Sequence, residues 1–226
     1  MSGIMDEGEC LINIPSDRGY LSGDLCLPAK PDGMVIFAHG SGSSRKSSRN
    51  RWVAAALRSV GFGTLLFDLL TPGEEAVDRV TAEFRFNIEL LTRRLLSATD
   101  WVRTHPDYCK LPIGFYGAST GAAAALCAAS QRSDTVRAVV SRGGRPDLAL
   151  RCLPAVRCPT MLIVGSKDTD VIPLNNLALE RLNTAKELVI VAGASHLFEE
   201  PGKLDEVRSL AASWFLKYLT AASNRC

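Results

Sequence analysis

Six short apolar runs, each separated from the next by a turn-rich or helical stretch, constrain this chain most. They are Met34–Ala38, Thr64–Phe67, Ile113–Tyr116, Val136–Ser141, Thr160–Val164 and Glu187–Val191. Each is too short to be a helix, and the continuous apolar character of most of them suits strands buried on both faces. Between and after them the spacing predicts helices over Ser48–Val60, Glu83–Thr104, Thr120–Ser130, Leu174–Asn183 and Leu204–Leu219, with a short helical piece at Pro146–Cys152. Gly61 stops the first helix, and His105-Pro106-Asp107 breaks the second. Strands alternating with helices require a mostly parallel sheet covered on both faces. Two earlier strands, Glu9–Ile14 and Gly19–Leu27, are joined by Asp17-Arg18-Gly19 and read as an antiparallel pair at one edge. The polar stretch Leu70–Ala82 reads as a loop.

The 226 residues, without repeats or low-complexity linkers, predict a single domain over 1–226. A net charge of +2 argues against nucleic acid or an anionic membrane as partner. The segment Met1–Glu9 is polar and lacks the apolar stretch of a signal peptide, and no run is apolar enough to span a bilayer. Seven cysteines, none at C-x-x-C spacing, read as reduced thiols in a cytoplasmic protein. The three histidines are isolated, so no metal site is expected. The cluster from Arg45 to Arg51 reads as a solvated face.

Ligands in such sheets bind at the carboxyl ends of the strands. The loops there are His39–Lys46, Asp68–Pro72, Gly117–Gly121, Arg142–Asp147, Gly165–Asp170 and Ala192–Glu200. Gly117-Ala118-Ser119-Thr120-Gly121 has the form G-x-S-x-G between an apolar strand and an alanine-rich helix. That is the context of a nucleophile elbow, in which small neighbours permit a strained turn and the helix N-terminus favours a developing oxyanion. A serine hydroxyl needs a base. His39 lies inside a glycine-rich turn and reads as structural, and His105 belongs to the opposite edge of the sheet. His196, in the loop after the last strand, is therefore the candidate base. The carboxylate that would orient it is Asp168, with Asp170 as competitor and Asp147 as a more distant one. Backbone N–H groups of Ser41 and Thr120 are the candidate oxyanion donors. The loop His39-Gly40-Ser41-Gly42-Ser43-Ser44 has Arg45 where a dinucleotide fingerprint has glycine, and it lacks the Gly-Lys-Ser/Thr of a phosphate loop.

These residues resemble the dienelactone hydrolase-like branch of the α/β-hydrolase superfamily. The likeness runs from about Ile12 to Leu219 and rests on His39–Arg45, Phe67–Thr71, Gly117–Gly121, Val164–Asp168 and Gly193–Phe198. It implies an α/β-hydrolase fold and favours Asp168 over Asp170 as the acid of a Ser119, Asp168, His196 triad. It also implies ester or related acyl hydrolysis without a cofactor. A small-molecule ester is the expected partner, and a monomer or homodimer is the expected state. Dienelactone hydrolases themselves use a cysteine nucleophile, so Ser119 points to a serine carboxylesterase acting on small or medium acyl esters. Thioester, lactone or amide cleavage and acyl transfer would use the same residues, and a non-catalytic binding protein on this fold is the rival reading. Only Arg142–Cys158 separates two strands where many such enzymes insert a cap, so no cap domain is expected. Gly40, Gly42, Arg142 and Arg145 are the candidates for substrate contact, although pairing of the arginines with Asp147 or solvent is the favoured reading of that loop.

Overall fold

A computed structural model describes residues 9–220. Of the expectations above, those on Met1–Gly8 and Cys226 lie outside the described residues. Eight strands form one sheet: β1 (Glu9–Ser16), β2 (Gly19–Cys26), β3 (Gly33–Ala38), β4 (Phe62–Phe67), β5 (Ile113–Ala118), β6 (Val136–Arg142), β7 (Thr160–Gly165) and β8 (Lys186–Val191). Their order is β1-β2-β4-β3-β5-β6-β7-β8. β1 and β2 are antiparallel to their neighbours, and the rest run parallel. β3, β4, β5 and β7 are buried at every position, as their continuous apolar sequence requires.

Six helices flank the sheet: α1 (Ser48–Ser59), α2 (Pro72–Thr81), α3 (Ile88–Thr104), α4 (Thr120–Gln131), α5 (Ile172–Arg181) and α6 (Lys203–Leu219). Side chains alternate across the sheet and so build two cores. Ile36, Phe115 and Val139 pack with α3 and α4 on one face, and Phe37, Tyr116 and Val140 pack with α1 and α6 on the other. Helix α4 is buried along most of its length because its alanines let it lie close against the sheet.

Two expectations about the helices need correction. The stretch 70–82 is mostly helix. Thr71 caps α2, accepting from the Glu74 N–H at 3.3 Å while the Glu74 carboxylate accepts from the Thr71 N–H at 2.9 Å, and Pro72 occupies the first turn. Its charges are also not all solvated. Glu74 is buried and accepts from Arg94 Nη2 at 2.7 Å, and Arg94, on the inner face of α3, also pairs with Asp17. Secondly, α3 begins at Ile88 rather than Glu83, because Asn87 caps it and the backbone N–H groups of Phe84 and Arg85 donate instead to Asp78.

The cysteines are not all reduced. Cys127 of α4 and Cys152, in the connection between β6 and β7, form a disulfide. They are 25 positions apart in sequence, but α4 packs against that connection and brings their Cα atoms to 5.1 Å. Spacing alone carried no sign of it. Among the described residues no helix is long and apolar enough to cross a membrane.

Candidate active site

Ser119 sits between β5 and α4 with φ 51° and ψ −121°, a positive φ that a β-carbon disfavours. The turn is held from two sides. The Ser119 N–H donates to the Arg142 carbonyl at 3.2 Å, and its carbonyl accepts from the Arg145 N–H at 3.1 Å. Glycines make the turn feasible. A β-carbon at Gly117 would lie 2.4 Å from Ala122 Cα, and one at Gly121 would lie 2.3 Å from the Ala38 carbonyl oxygen. The strained serine is thus compensated by close backbone packing of β3, β5 and α4.

His196 is held in the loop after β8. Its Nδ1 is 2.6 Å from Asp168 Oδ2, so Asp168 is the candidate carboxylate in contact with this ring. Asp170 is exposed, and Asp147 makes a bidentate pair with Arg145 at 2.9 and 2.8 Å. The loops of Asp168 and His196 are bound to one another. Lys167 N–H donates to the Ala194 carbonyl at 2.9 Å, and Gly193 N–H donates to Ser166 Oγ at 2.8 Å. Close to His196, the Glu200 carboxylate accepts from the Ser195 N–H at 3.0 and 3.1 Å, which holds that carboxyl below its ordinary range. A β-carbon on Gly143 would stand 3.5 Å from two atoms of the His196 ring. Gly143 directly follows Arg142, whose carbonyl binds Ser119, so the imidazole and the serine flank the same two-residue stretch.

The loop after β3 closes the other side. A β-carbon on Gly40 would lie 3.0 Å from Ser119 Cβ and 3.7 Å from its Oγ. Ser41 Oγ is 2.9 Å from Thr120 Oγ1 and donates to the Arg85 carbonyl at 3.3 Å, so the two candidate oxyanion residues are tied together by their side chains. Thr120 is the first residue of α4, and its N–H has no partner within the helix. His39 is structural, as its sequence position suggested. Its Nε2 accepts from the Leu69 N–H at 3.1 Å, so Nδ1, 3.0 Å from the Gly40 carbonyl, carries the hydrogen. Burial holds this ring below its ordinary pKa of 6.5 and so neutral.

Arg45 is not part of a solvated face. Its side chain is 17% exposed, its Nε donates to Asp24 at 3.0 Å, its guanidinium also pairs with Asp68, and its N–H donates to Asp68 Oδ1 at 2.8 Å. These bonds pin the loop after β3 to the antiparallel edge. Asp78, Arg85 and Glu75 line the same loop from α2 and its exit. Burial pushes the Asp78 carboxyl up, but the N–H groups of Arg85 and Phe84 and the Arg85 guanidinium bring it below the ordinary value. Asp24, Asp78 and Arg85 were missed because each is distant in sequence from the loop it supports, whereas Arg45 and Asp68 lay within recognised motifs and only their partners were hidden.

The expected substrate contacts need sorting. Gly40 faces Ser119, and Gly42, with φ 67°, lies beside the Arg85 guanidinium. Arg142 does not reach the site. It is buried, donates to Asn50 Oδ1 at 3.3 Å and lies over the Phe198 ring, because position 142 faces the α1 and α6 side of β6. Arg145 is neutralised by Asp147. Only two short 3-10 turns, Pro146–Ala149 and Leu153–Ala155, fill the connection where a cap would be inserted. A polar hollow of about 300 Å³ adjoins the loop after β3. A larger groove of about 700 Å³, between α3, α4 and the 3-10 turns, is lined by none of Ser119, Asp168 and His196.

The sheet order, the serine at the β5–α4 turn, and the carboxylate and histidine after β7 and β8 define an α/β-hydrolase fold, with no cap inserted between β6 and β7. Within that class, the chain belongs to the dienelactone hydrolase family, whose model matches residues 21–220. It is similar to the crystal structure of a dienelactone hydrolase from Anabaena variabilis, with 54% identity, a TM-score of 0.92, and 93% of this chain and 98% of that one covered. A serine hydrolase without a lid from Xanthomonas campestris shares the fold at 20% identity, with a TM-score of 0.76 over 96% of this chain and 97% of that one. A Mycobacterium tuberculosis protein named "Putative phosphoribosyl transferase" is 54% identical over 199 residues, which is 88% of this chain and 44% of that protein. The chain thus spans less than half the length of that relative.

Proposed function

We propose that this protein is a serine hydrolase that cleaves small or medium acyl esters through an acyl-enzyme. The observation that carries the reading is the 2.6 Å contact between His196 Nδ1 and Asp168 Oδ2, on an imidazole packed against Gly143 beside Ser119. With Nδ1–H donating to Asp168, the Nε2 lone pair is the basic atom. In the reaction Ser119 Oγ attacks the ester carbonyl, and His196 Nε2 takes its proton and returns it to the leaving alkoxide. The N–H groups of Ser41 and Thr120 hold the oxyanion, and water then releases the acid by the same steps in reverse. Asp168 stabilises the transient imidazolium. No step draws on a cofactor.

The short β6–β7 connection, with no inserted cap, supports small and medium esters. The name of the longer relative describes a transferase. The site of this chain offers a serine nucleophile with a base, and that chemistry supports acyl transfer to water. The test is hydrolysis of p-nitrophenyl esters of increasing acyl length by the wild type and Ser119→Ala. The reading requires release of p-nitrophenol by the wild type and its loss in the variant. Equal turnover by both proteins would overturn it.

A further inference from the structure

The Cys127–Cys152 bond lies outside the hydrolytic machinery, yet it is placed where a soluble thiol can reach it. Both cysteines line the groove of about 700 Å³ between α3, α4 and the 3-10 turns. Cys127 is 7% exposed and Cys152 is half-buried, so Cys152 is the more exposed residue of the two. The groove's charged lining is balanced, Arg93 and Arg151 against Glu89 and Asp147, with Arg93 donating to Glu89 at 2.8 Å, so access to the bond rests on the groove's shape rather than on charge.

The bond also has a defined mechanical place. It joins α4, the helix that directly follows Ser119, to the second half of the β6–β7 connection. The first half of that connection is anchored separately. Gly143 N–H donates to the Ile163 carbonyl at 2.8 Å, Arg145 N–H donates to the Ser119 carbonyl at 3.1 Å, and Asn175 Nδ2 donates to the Gly144 carbonyl at 3.1 Å. The contacts that shape Ser119 and His196 therefore do not run through the sulfurs. The cross-link restrains the unfolded chain and the later part of the connection.

We propose that Cys127–Cys152 is a thiol-exchangeable cross-link through which an external dithiol sets the thermal stability of the protein while leaving the hydrolytic site assembled. In the exchange, a dithiol thiolate attacks Cys152 Sγ, and the Cys127 thiolate leaves and takes a proton. The second dithiol thiolate then attacks its own partner sulfur in the mixed disulfide and releases Cys152. The protein disulfide gains two electrons, and the dithiol is oxidised to its cyclic disulfide.

The experiment needs no assumption about the substrate. The full chain, equilibrated with oxidised glutathione, is treated under native conditions with or without dithiothreitol, alkylated with iodoacetamide and mapped by peptide mass. Cys127 and Cys152 should be protected before dithiothreitol and alkylated after it. The melting temperature should fall by roughly 7–14 °C on reduction, from the entropy of a loop of this length. The double variant Cys127→Ala/Cys152→Ala should melt like the reduced protein and ignore dithiothreitol. If that variant misfolds, Cys152→Ser supplies the same comparison. Ready alkylation of both cysteines after oxidation, resistance of the bond to native dithiothreitol, or an unchanged melting temperature would each overturn the proposal. Loss of esterase activity is not among the readouts, so failure here leaves the catalytic reading untouched.

Discussion

Replacing Asp168 by asparagine removes one charge and leaves the shape of the site nearly intact. In the wild type, Oδ2 stands 2.6 Å from His196 Nδ1, with the aspartate side chain 11% exposed and the histidine 37% exposed. Once His196 has taken the serine proton, two opposite charges face each other at about 4 Å between charge centres. At an effective dielectric near 20 that attraction is about 4 kcal/mol. Water at the partly exposed imidazole screens it, which brings it to about 3 kcal/mol. The transition state alone carries the imidazolium, so the loss falls on kcat, by roughly 10²–10³-fold, with KM within about twofold. Asp170→Asn is the matched control, since that side chain is exposed and should stay within about twofold of wild type. The assay is steady-state hydrolysis of a p-nitrophenyl ester by both variants, with melting temperatures to show that both are folded. An Asp168→Asn protein within tenfold of wild type, or equal losses in both variants, would refute the reasoning.

Two further predictions test the supporting structure. A methyl at Gly40 would meet Ser119 Cβ at 3.0 Å and the Ala118 carbonyl oxygen at 3.2 Å, so Gly40→Ala should shift the nucleophile by a few tenths of an ångström and lower kcat/KM by about 10–100-fold while the protein stays folded by circular dichroism. His39 is held neutral by burial, so between pH 6.5 and its lower folded pKa the unfolded chain binds a proton that the folded chain refuses. Stability should therefore fall with falling pH in that window, by up to about 1.4 kcal/mol per pH unit from this group alone, and urea titrations should show a shallower slope in His39→Gln.

Much of the site was legible because its chemistry depends on local sequence. The tight turn needs glycine at 117 and 121, the alanine run lets α4 approach the sheet, and chain order places Asp168 and His196 after successive strands. The sequence left Asp168 and Asp170 unresolved without the family resemblance, because both follow the same strand. The 2.6 Å contact separates them. Helix α2 was missed although its capping box is local, because charge was weighed above the pattern Thr71-Pro72-x-Glu74. Other features were beyond local reading. Arg142 and Arg145 flank Gly143-Gly144, yet Arg142 ends β6 buried against Asn50 while Arg145 lies beyond the strand and pairs with Asp147, a difference set by where the strand stops. The Cys127–Cys152 bond depends on how α4 packs against the next connection, which no spacing rule records.

The most direct test of the central claim is covalent labelling of Ser119. The folded protein is incubated with a fluorophosphonate, and its intact mass and active-site peptide are read by mass spectrometry. One adduct per chain is expected, on Ser119, with none on Ser119→Ala. A folded wild-type protein that takes no label, or a label that persists in Ser119→Ala, would contradict a serine nucleophile at this site.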